Sequence, residues 1–407
     1  MHVVLVEPSF PLNQREFARG LNDAGATVSG IGERPKDSLD EGLRRWLTHF
    51  EQVPNVCDER VMIEKVRWLQ SKLPVDRLEA TIEAHIMPSA RVREACGIAG
   101  TSVQTAFLCR DKPAMKEVLR KGGIPCAQSI GSSSREEIRD FAASVGFPLI
   151  VKPPAAAGAS GTVRVDGREA LDQALGAMGI DRGAVLAVEE FVEGHEGFYD
   201  TLTIRGEVVH DFISHYYPNV LEAMRARWIS PQFIATNRVD TASDYAGVRA
   251  MGKKVNSLLG IETSATHMEW FFGPKGLKFS EIGCRPPGVR AWDLYCAGNE
   301  IDLYREWAMA IVHETPSQRP SRAYAAGIIN LRPDRDGHIL GYEGLADIER
   351  DYGKWILDYH LPTPGTATQG VADGYMANAW IRMRHPDYDE LRRMLDRVGE
   401  TVKVKAE

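Results

Sequence analysis

The chain has 407 residues, a formal net charge of −7, and 43% hydrophobic and 26% charged residues, which suggests a globular protein of about two to three domains. The negative charge argues against a nucleic-acid-binding protein, and no apolar run approaches the ~20 residues that a membrane helix needs. Six scattered cysteines without a CxxC pair argue against a zinc ribbon or a disulfide framework, so we expect reduced thiols and a cytoplasmic protein.

The first 104 residues predict a small α/β domain with a parallel sheet. A strand over 2–7, a helix over 13–24 and a second strand over 27–31 give the βαβ alternation that is typical of such sheets. The fingerprints G-x-G-x-x-G and G-x-x-x-x-G-K-[ST] are both absent from the sequence. If the protein uses a nucleotide, it therefore binds it in another way.

Residues 105–320 mix helices with antiparallel hairpins, which predicts α+β organisation in the centre of the chain. One helix is expected over 105–122, and a lysine on a helix, such as Lys112, is usually a solvated charge. A buried strand ends at Lys152, and the small residues 155–161 that follow allow a backbone to approach a ligand closely. A lysine there can reach phosphates, and loop amides can cradle them. The alternative interpretation is a plain flexible hairpin.

The segment that begins with EEFV at Glu189 combines apolar and acidic character and continues to Glu196. Its backbone groups could form hydrogen bonds with the edge of an adenine, and Glu196 could accept hydrogen bonds from ribose hydroxyls. The alternative interpretation is the end of an amphipathic strand.

Residues 268–282 predict a β-hairpin around a turn at 273–276. If the turn centres on Lys275, Glu269 and Glu281 face each other at roughly 5 Å between Cβ atoms, where two carboxylates repel. A bound Mg²⁺, which takes oxygen ligands and shares them with phosphates, would remove this repulsion. Arg285 follows as a fixed cation suited to phosphate or carboxylate. The alternative is a surface hairpin whose glutamates point to water.

Two further segments carry weaker signals. The region from His215 to Arg227 follows an antiparallel strand and precedes the hairpin, so it borders either a substrate pocket or only a packed aromatic cluster. A boundary at 316–320 is followed by short strands and a helix over 321–407, where we find no group of residues that carries chemistry.

Five motifs occur in an order that resembles the ATP-grasp superfamily over about residues 1–320: DKxxxK at Lys112, IVKP at Lys152, EEFVxGxE, Glu269, and Glu281-x-x-x-Arg285. The resemblance implies an ATP-grasp fold with an N-terminal Rossmann-like domain at 1–104. It implies an ATP-grasp domain at 105–320, with a lid at about 123–190, and an α+β subdomain at 321–407.

The resemblance also implies ligands and roles. ATP would be held by Lys112, Lys152, Gly158, Ser160, Gly161, Glu189, Glu190, Phe191, Val192 and Glu196. Glu269 and Glu281 would bind Mg²⁺, and catalysis would depend on Lys152 and on Arg285, which steadies the transferred phosphoryl group. Gly283 is a departure, because many members have asparagine at this position, and a second Mg²⁺ would lack that ligand here.

The run RPPG, with Arg285 and Gly288, resembles the amino-acid and dipeptide ligases of the superfamily. The implied reaction activates a carboxylate as an acyl phosphate and joins it to an amine, with release of ADP and phosphate. Candidate substrate residues are His215, Arg225, Arg227, Gly288 and Arg290. The implied partners are a small carboxylate and an amine, with no nucleic acid or membrane, and the chain could form a homodimer. The alternatives are a carboxylase-type enzyme acting on bicarbonate and a non-catalytic ATP-binding protein.

Overall fold

The computed structural model describes residues 1–155, 161–371 and 377–407. It begins with a parallel sheet of strand order β3-β2-β1-β4, in which every residue of the central strand β1 is buried. The elements are β1 (His2–Val6), α1 (Arg15–Asp23), β2 (Thr27–Gly32), α2 (Glu41–Trp46), β3 (His49–Gln52), α3 (Glu59–Gln70), β4 (Arg77–Glu79) and α4 (Ile86–Cys96). The predicted α/β start of the chain is confirmed.

Two helices, α5 (Val103–Leu108) and α6 (Lys112–Lys121), replace the single helix expected over 105–122. The helix breaks at Asp111, whose backbone is extended and whose side chain accepts a hydrogen bond from the amide of Ala114 at 2.9 Å. Pro113 lies in the first turn of α6, where its missing N–H costs nothing. The break therefore places Lys112 at the beginning of a new helix.

A four-stranded antiparallel sheet of order β5-β8-β6-β7 follows. Its strands are β5 (Ser129–Ser132), β6 (Leu149–Lys152), β7 (Val163–Val165) and β8 (Leu186–Glu190). The helices α7 (Arg135–Val145) and α8 (Arg168–Ala177) belong to the same unit. Ile138 and Leu171 from the two helices pack with Leu149 and Val188 from the strands, so this unit has its own apolar core. We call it the small sheet.

The largest sheet has eight antiparallel strands in the order β13-β12-β9-β10-β11-β14-β17-β16. Its elements and those around it are β9 (His195–Ile204), β10 (Glu207–Tyr217), α9 (Val220–Ala223), β11 (Gln232–Ala235), α10 (Tyr245–Leu258), β12 (Ser264–Gly273), β13 (Gly276–Gly283), α11 (Ala291–Asn299), α12 (Leu303–His313), β14 (Ala325–Leu331), β15 (Ile339–Glu343), α13 (Leu345–Tyr352), β16 (Ile356–His360), β17 (Ala379–His385), α14 (Tyr388–Thr401) and β18 (Lys403–Ala406). Strands from both sides of residue 320 therefore belong to one sheet, and the proposed division there stays a prediction.

The parallel sheet is attached to the rest of the protein through aromatic packing. The ring of Phe17 in α1 lies about 5 Å from the rings of Trp292, Tyr304 and Trp307, which belong to α11 and α12. These residues share one core cluster with the large sheet. Across the described ranges, no helix has the length and apolar character needed to cross a membrane.

Candidate active site

A cavity of about 900 Å³ is lined by residues of both the small sheet and the large sheet. Most of the residues selected from the sequence line it: Lys112, Lys152, Glu189, Glu190, Phe191, Val192, Glu196, Arg225, Glu269, Glu281, Arg285 and Gly288. Gly158 and Ser160 lie outside the described residues, and Gly161 is described but is not among the lining residues.

Glu269 and Glu281 are register partners on β12 and β13, as predicted, and both line the cavity. The predicted turn at 273–276 is confirmed, since β12 ends at Gly273 and β13 begins at Gly276, but it centres between Pro274 and Lys275 and not on Lys275. That register pairs Trp270 with Phe279, and an irregularity on β13 then restores the pairing of Glu269 with Glu281. Without this irregularity, Glu269 would pair with Ser280, and the side chain of Glu281 would point to the opposite face of the sheet from Glu269.

Three charged side chains form a buried cluster beside this hairpin. The carboxylate of Glu189 lies 2.7 Å from Nζ of Lys116 and 2.9 Å from Nζ of Lys152. Glu189 and Lys152 are diagonal neighbours on β8 and β6, because Glu189 pairs with Ile150 and Lys152 with Ala187. Sequence reasoning missed Lys116, although the DKxxxK spacing places it one turn after Lys112 on the same face of α6.

Burial and charge set the protonation of this cluster. Burial lowers the pKa of Lys116 to about 8, because the attraction of Glu189 does not fully offset desolvation and the repulsion from Lys152. Burial alone would raise the pKa of Glu189, but the two ammonium groups outweigh it and lower the pKa to about 2. Glu189 is therefore an anion at neutral pH, held between two cations.

Glu196 is a second buried carboxylate, and it lies on the same face of the large sheet as Glu269. It pairs with Phe271, two residues from Glu269, and its Oε2 accepts a hydrogen bond from the amide of Val220 at 2.7 Å. Burial and the nearby charge of Glu269 raise its pKa well above the usual range. Its predicted contact with ribose stays a prediction.

His267 is a further cavity residue that sequence reasoning missed. Its Nδ1 lies 2.7 Å from Oδ1 of Asp200, and its Nε2 lies 3.7 Å from Oε1 of Glu269. Burial opposes protonation, but these carboxylates outweigh it and raise the pKa of His267 to about 9. The signal available in the sequence was strand alternation, since His267 and Glu269 are two residues apart on one face of β12.

Arg285 lines the cavity and is held by a residue from the N-terminal part of the chain. Its Nε donates a hydrogen bond to Oε2 of Glu83 at 2.5 Å. Arg110 donates to the other oxygen of the same carboxylate at 2.6 Å. No sequence motif indicated Glu83, because it lies about two hundred residues before the hairpin.

Three predicted substrate residues do not line the cavity. Tyr216 lines it, so its neighbour His215 points to the opposite face of β10, where its ring lies 2.8 Å from both His195 and the hydroxyl of Tyr245. Arg227 forms an ion pair with Asp336. Arg290 lies 2.7 Å from Asp293 and stacks on Trp380. These three residues are therefore not among the lining residues of the cavity, whereas Arg225 and Gly288 are, and a role in substrate binding stays a prediction.

The residues present suit a cation shared with a bound anion. Two opposed carboxylates, Glu269 and Glu281, supply the oxygen ligands that Mg²⁺ prefers. Within the described ranges, no group of three or more His, Cys, Asp or Glu side chains is arranged to hold a metal ion. The donor set therefore fits Mg²⁺ when phosphate oxygens and water complete its coordination, which is how this ion usually binds beside phosphates.

Comparison with known proteins gives a consistent set of relatives. Residues 111–195 match the ATP-binding domain of the carbamoyl-phosphate synthase L chain. The chain is 30% identical over 323 residues to the L-arginine-specific L-amino acid ligase of Bacillus subtilis, covering 78% of this chain and 76% of that protein. It is 25% identical over 231 residues to the alanine–anticapsin ligase of Bacillus subtilis (strain 168), of which it spans only 48%.

Two solved structures share the fold over the whole chain. The L-amino acid ligase from Bacillus licheniformis superposes with a TM-score of 0.77 at 17% identity, covering 100% of this chain and 98% of that one. The N5-carboxyaminoimidazole ribonucleotide synthetase from Thermotoga maritima gives a TM-score of 0.71 at 16% identity, covering 100% and 99%. At these identities the likeness concerns the fold alone.

Proposed function

We propose the substrates and the residue roles of this enzyme on one premise: the chain belongs to the ATP-grasp family of carboxylate–amine ligases. Such a ligase uses ATP to activate a carboxylate, joins it to an amine and releases ADP and phosphate. We propose that the carboxylate is that of an L-amino acid and that the amine belongs to a second amino acid. The similarity to the L-arginine-specific L-amino acid ligase supports this substrate class.

The observation that carries the proposal is the composition of one cavity wall. Lys112, Lys152 and Arg285 line it together with the facing carboxylates Glu269 and Glu281. Phosphoryl transfer needs positioning and charge neutralisation more than covalent chemistry by the protein. Lysines, paired carboxylates and an arginine supply both, and about 900 Å³ is at the upper end of the range for small-molecule sites.

We assign the binding of the ATP phosphates to Lys112 and Lys152. Glu189 orients the ammonium group of Lys152 through the 2.9 Å contact, while Lys116 keeps Glu189 charged. Phe191 and Val192 follow on the same wall and are proposed to contact the adenine. The guanidinium of Arg164 lies 4.4 Å from the ring centre of Phe191, which fixes that ring at the cavity edge.

Glu269 and Glu281 would hold Mg²⁺, which when bound neutralises the phosphate charge that develops during transfer. A carboxylate oxygen of the acid substrate attacks the γ-phosphorus of ATP, and the bond to the bridging oxygen of ADP breaks. The amine then attacks the carbonyl carbon of the acyl phosphate and loses a proton, while phosphate leaves. Arg285 is proposed to bind the transferring phosphoryl group through its planar fork of donors.

The test is a substrate panel with product analysis. The purified enzyme is incubated with MgATP and single amino acids or pairs, and ADP, AMP, phosphate and dipeptide are measured. We expect ADP and phosphate in equal amounts with a dipeptide for at least one pair. AMP and pyrophosphate would contradict the acyl-phosphate route, and ADP release that needs bicarbonate but no amine would contradict the substrate class.

A further inference from the structure

Glu83 contacts the hairpin region from the other end of the chain. It begins the short 3-10 helix Glu83–His85, which follows β4 at the edge of the parallel sheet. Its two carboxylate oxygens accept hydrogen bonds from two different arginines, Arg285 at 2.5 Å and Arg110 at 2.6 Å. Burial would raise the pKa of Glu83, but the two guanidinium groups outweigh it and lower the pKa, so the carboxylate is charged at neutral pH.

Gly283 explains how this carboxylate fits beside β13. A Cβ added to Gly283 would lie 3.0 Å from Oε2 of Glu83 and 3.6 Å from Nε of Arg285. The backbone of Gly283 has no positive φ, so its conformation is open to any residue. Space and not backbone conformation is therefore limiting here: a side chain at position 283 would push the carboxylate of Glu83 by a few tenths of an ångström.

The orientation of Arg285 is fixed from two sides. Its Nε is bonded to Glu83, and its Nη1 donates to the backbone oxygen of Pro286 at 2.8 Å. Two hydrogen bonds from different atoms of a planar guanidinium define its plane. Arg110, the second partner of Glu83, also donates to the backbone oxygen of Ala155 at 3.0 Å, so the carboxylate is itself held in place.

We propose that Glu83 is a positioning residue of the ligase reaction: it holds the guanidinium of Arg285 at the cavity wall, in the space that Gly283 leaves open. The proposal rests on the proposed function, in which Arg285 binds the transferring phosphoryl group. An error of about 1 Å in such a group can cost about a hundredfold in rate. The N-terminal part of the chain thus contributes to catalysis through Arg285 without lining the cavity.

The first experiment compares Glu83→Gln with a matched control, Glu51→Gln. Glutamine keeps the size of the side chain but removes the charge that orients Arg285. We expect kcat to fall about ten- to a hundredfold while KM for ATP stays within about twofold. Glu51 is similarly exposed, at 18% against 21%, and pairs with Lys65 at 2.9 Å inside the N-terminal part, so its variant should keep the wild-type kcat.

The second experiment asks whether positions 83 and 283 act as one unit. Gly283→Asn is made in the wild type and in Glu83→Ala. Alone it should lower kcat, because the new side chain displaces the carboxylate of Glu83. In the Glu83→Ala background it should add little, whereas independent sites would show effects that multiply.

The possible failures of the proposal and of the proposed function give different results. A Glu83→Gln variant with kcat within about twofold of the wild type, or with KM for ATP raised in proportion to the loss of kcat, would overturn the proposal. Multiplying effects of the two substitutions would overturn it as well. A wild-type enzyme that releases no ADP with any acid would instead contradict the proposed function.

Discussion

Nζ of Lys112 lies 3.1 Å from Oε2 of Glu281, so the second glutamate of the hairpin is paired with a cation at the beginning of α6. Burial opposes the charge of Glu281, but Lys112 and Lys152 outweigh it and lower its pKa. The repulsion between facing carboxylates that the hairpin predicts is therefore offset by lysines from other elements. This pairing changes what removal of the carboxylate should do to stability.

We expect Glu281→Gln to abolish turnover and to lower the stability of the nucleotide-free protein. Loss of the like-charge pair alone would stabilise the fold, but Lys112 loses a charged partner, which typically costs about 1–3 kcal/mol. Chemical unfolding without nucleotide measures the stability, and ADP release measures turnover. A variant that is more stable than the wild type would show that repulsion from Glu269 dominates.

Glu189→Gln should destabilise the protein by about 3–5 kcal/mol at neutral pH, because two buried ammonium groups lose their shared carboxylate. The pKa of Glu189 is lowered to about 2, so its stabilisation is fully present above about pH 4.5 and is lost as the pH falls toward 2. The difference in unfolding free energy between wild type and variant should shrink between pH 6 and pH 3. Urea unfolding across this range measures it.

The control for this cluster is Glu190→Gln, one residue further along β8. Glu190 is 14% exposed and forms an ion pair with Lys275, which is 65% exposed. Burial would raise the pKa of Glu190, but Lys275 and the backbone amide of Gln128 outweigh it and lower the pKa. Because its cationic partner Lys275 is largely exposed, the control should lose about 1 kcal/mol or less, far less than Glu189→Gln. A pH-independent effect of Glu189→Gln would mean that its packing matters and its charge does not.

Lys152→Ala should weaken ATP binding about tenfold or more and should also reduce stability measurably. Although Lys152 stands at the end of a strand, its side chain is only 10% exposed and contacts Glu189. Because Lys116 still neutralises Glu189, the loss of stability should be smaller than for Glu189→Gln. Nucleotide titration and thermal unfolding give the two readouts.

Lys121→Ala is the matched variant for this comparison. Lys121 ends α6, is 76% exposed and forms an ion pair with Glu117 one helical turn earlier. It should change neither ATP affinity nor the thermal midpoint. Wild-type ATP affinity in Lys152→Ala would remove Lys152 from the proposed nucleotide site.

Arg225→Ala and Arg227→Ala should have different effects on the enzyme, although the sequence predicts that both residues contact the substrate. Arg225 lines the cavity, whereas Arg227 pairs with Asp336 beyond it. We expect Arg225→Ala to change KM for the acid substrate several-fold with little effect on ATP. Arg227→Ala should lower the thermal midpoint and leave the order of substrate preference unchanged. Equal shifts in substrate preference for both variants would contradict this separation.

Features that depend on short stretches of the chain could be predicted from the sequence without the tertiary structure. Strand alternation and turn residues predicted the hairpin, and the pairing of Glu269 with Glu281 followed from it. The end of the strand at Lys152 followed from a buried run ahead of small residues, and most predicted nucleotide residues do line one cavity. These features depend on neighbours within a few residues, so sequence spacing is enough to find them.

Tertiary packing decided which charges meet and which faces the side chains take. The contacts of Glu83 with Arg285 and of Lys116 with Glu189 join residues that are far apart in the chain, so no spacing rule indicates them. His215 does not line the cavity, because adjacent strand residues point to opposite faces and only the packed sheet shows which face borders the cavity. The sequence by itself determined the fold family and the facing pair of carboxylates on the hairpin, but not Lys116, His267 or Glu83. The tertiary structure decided the ionic partners, because charges separated along the chain approach each other only after the sheets have packed.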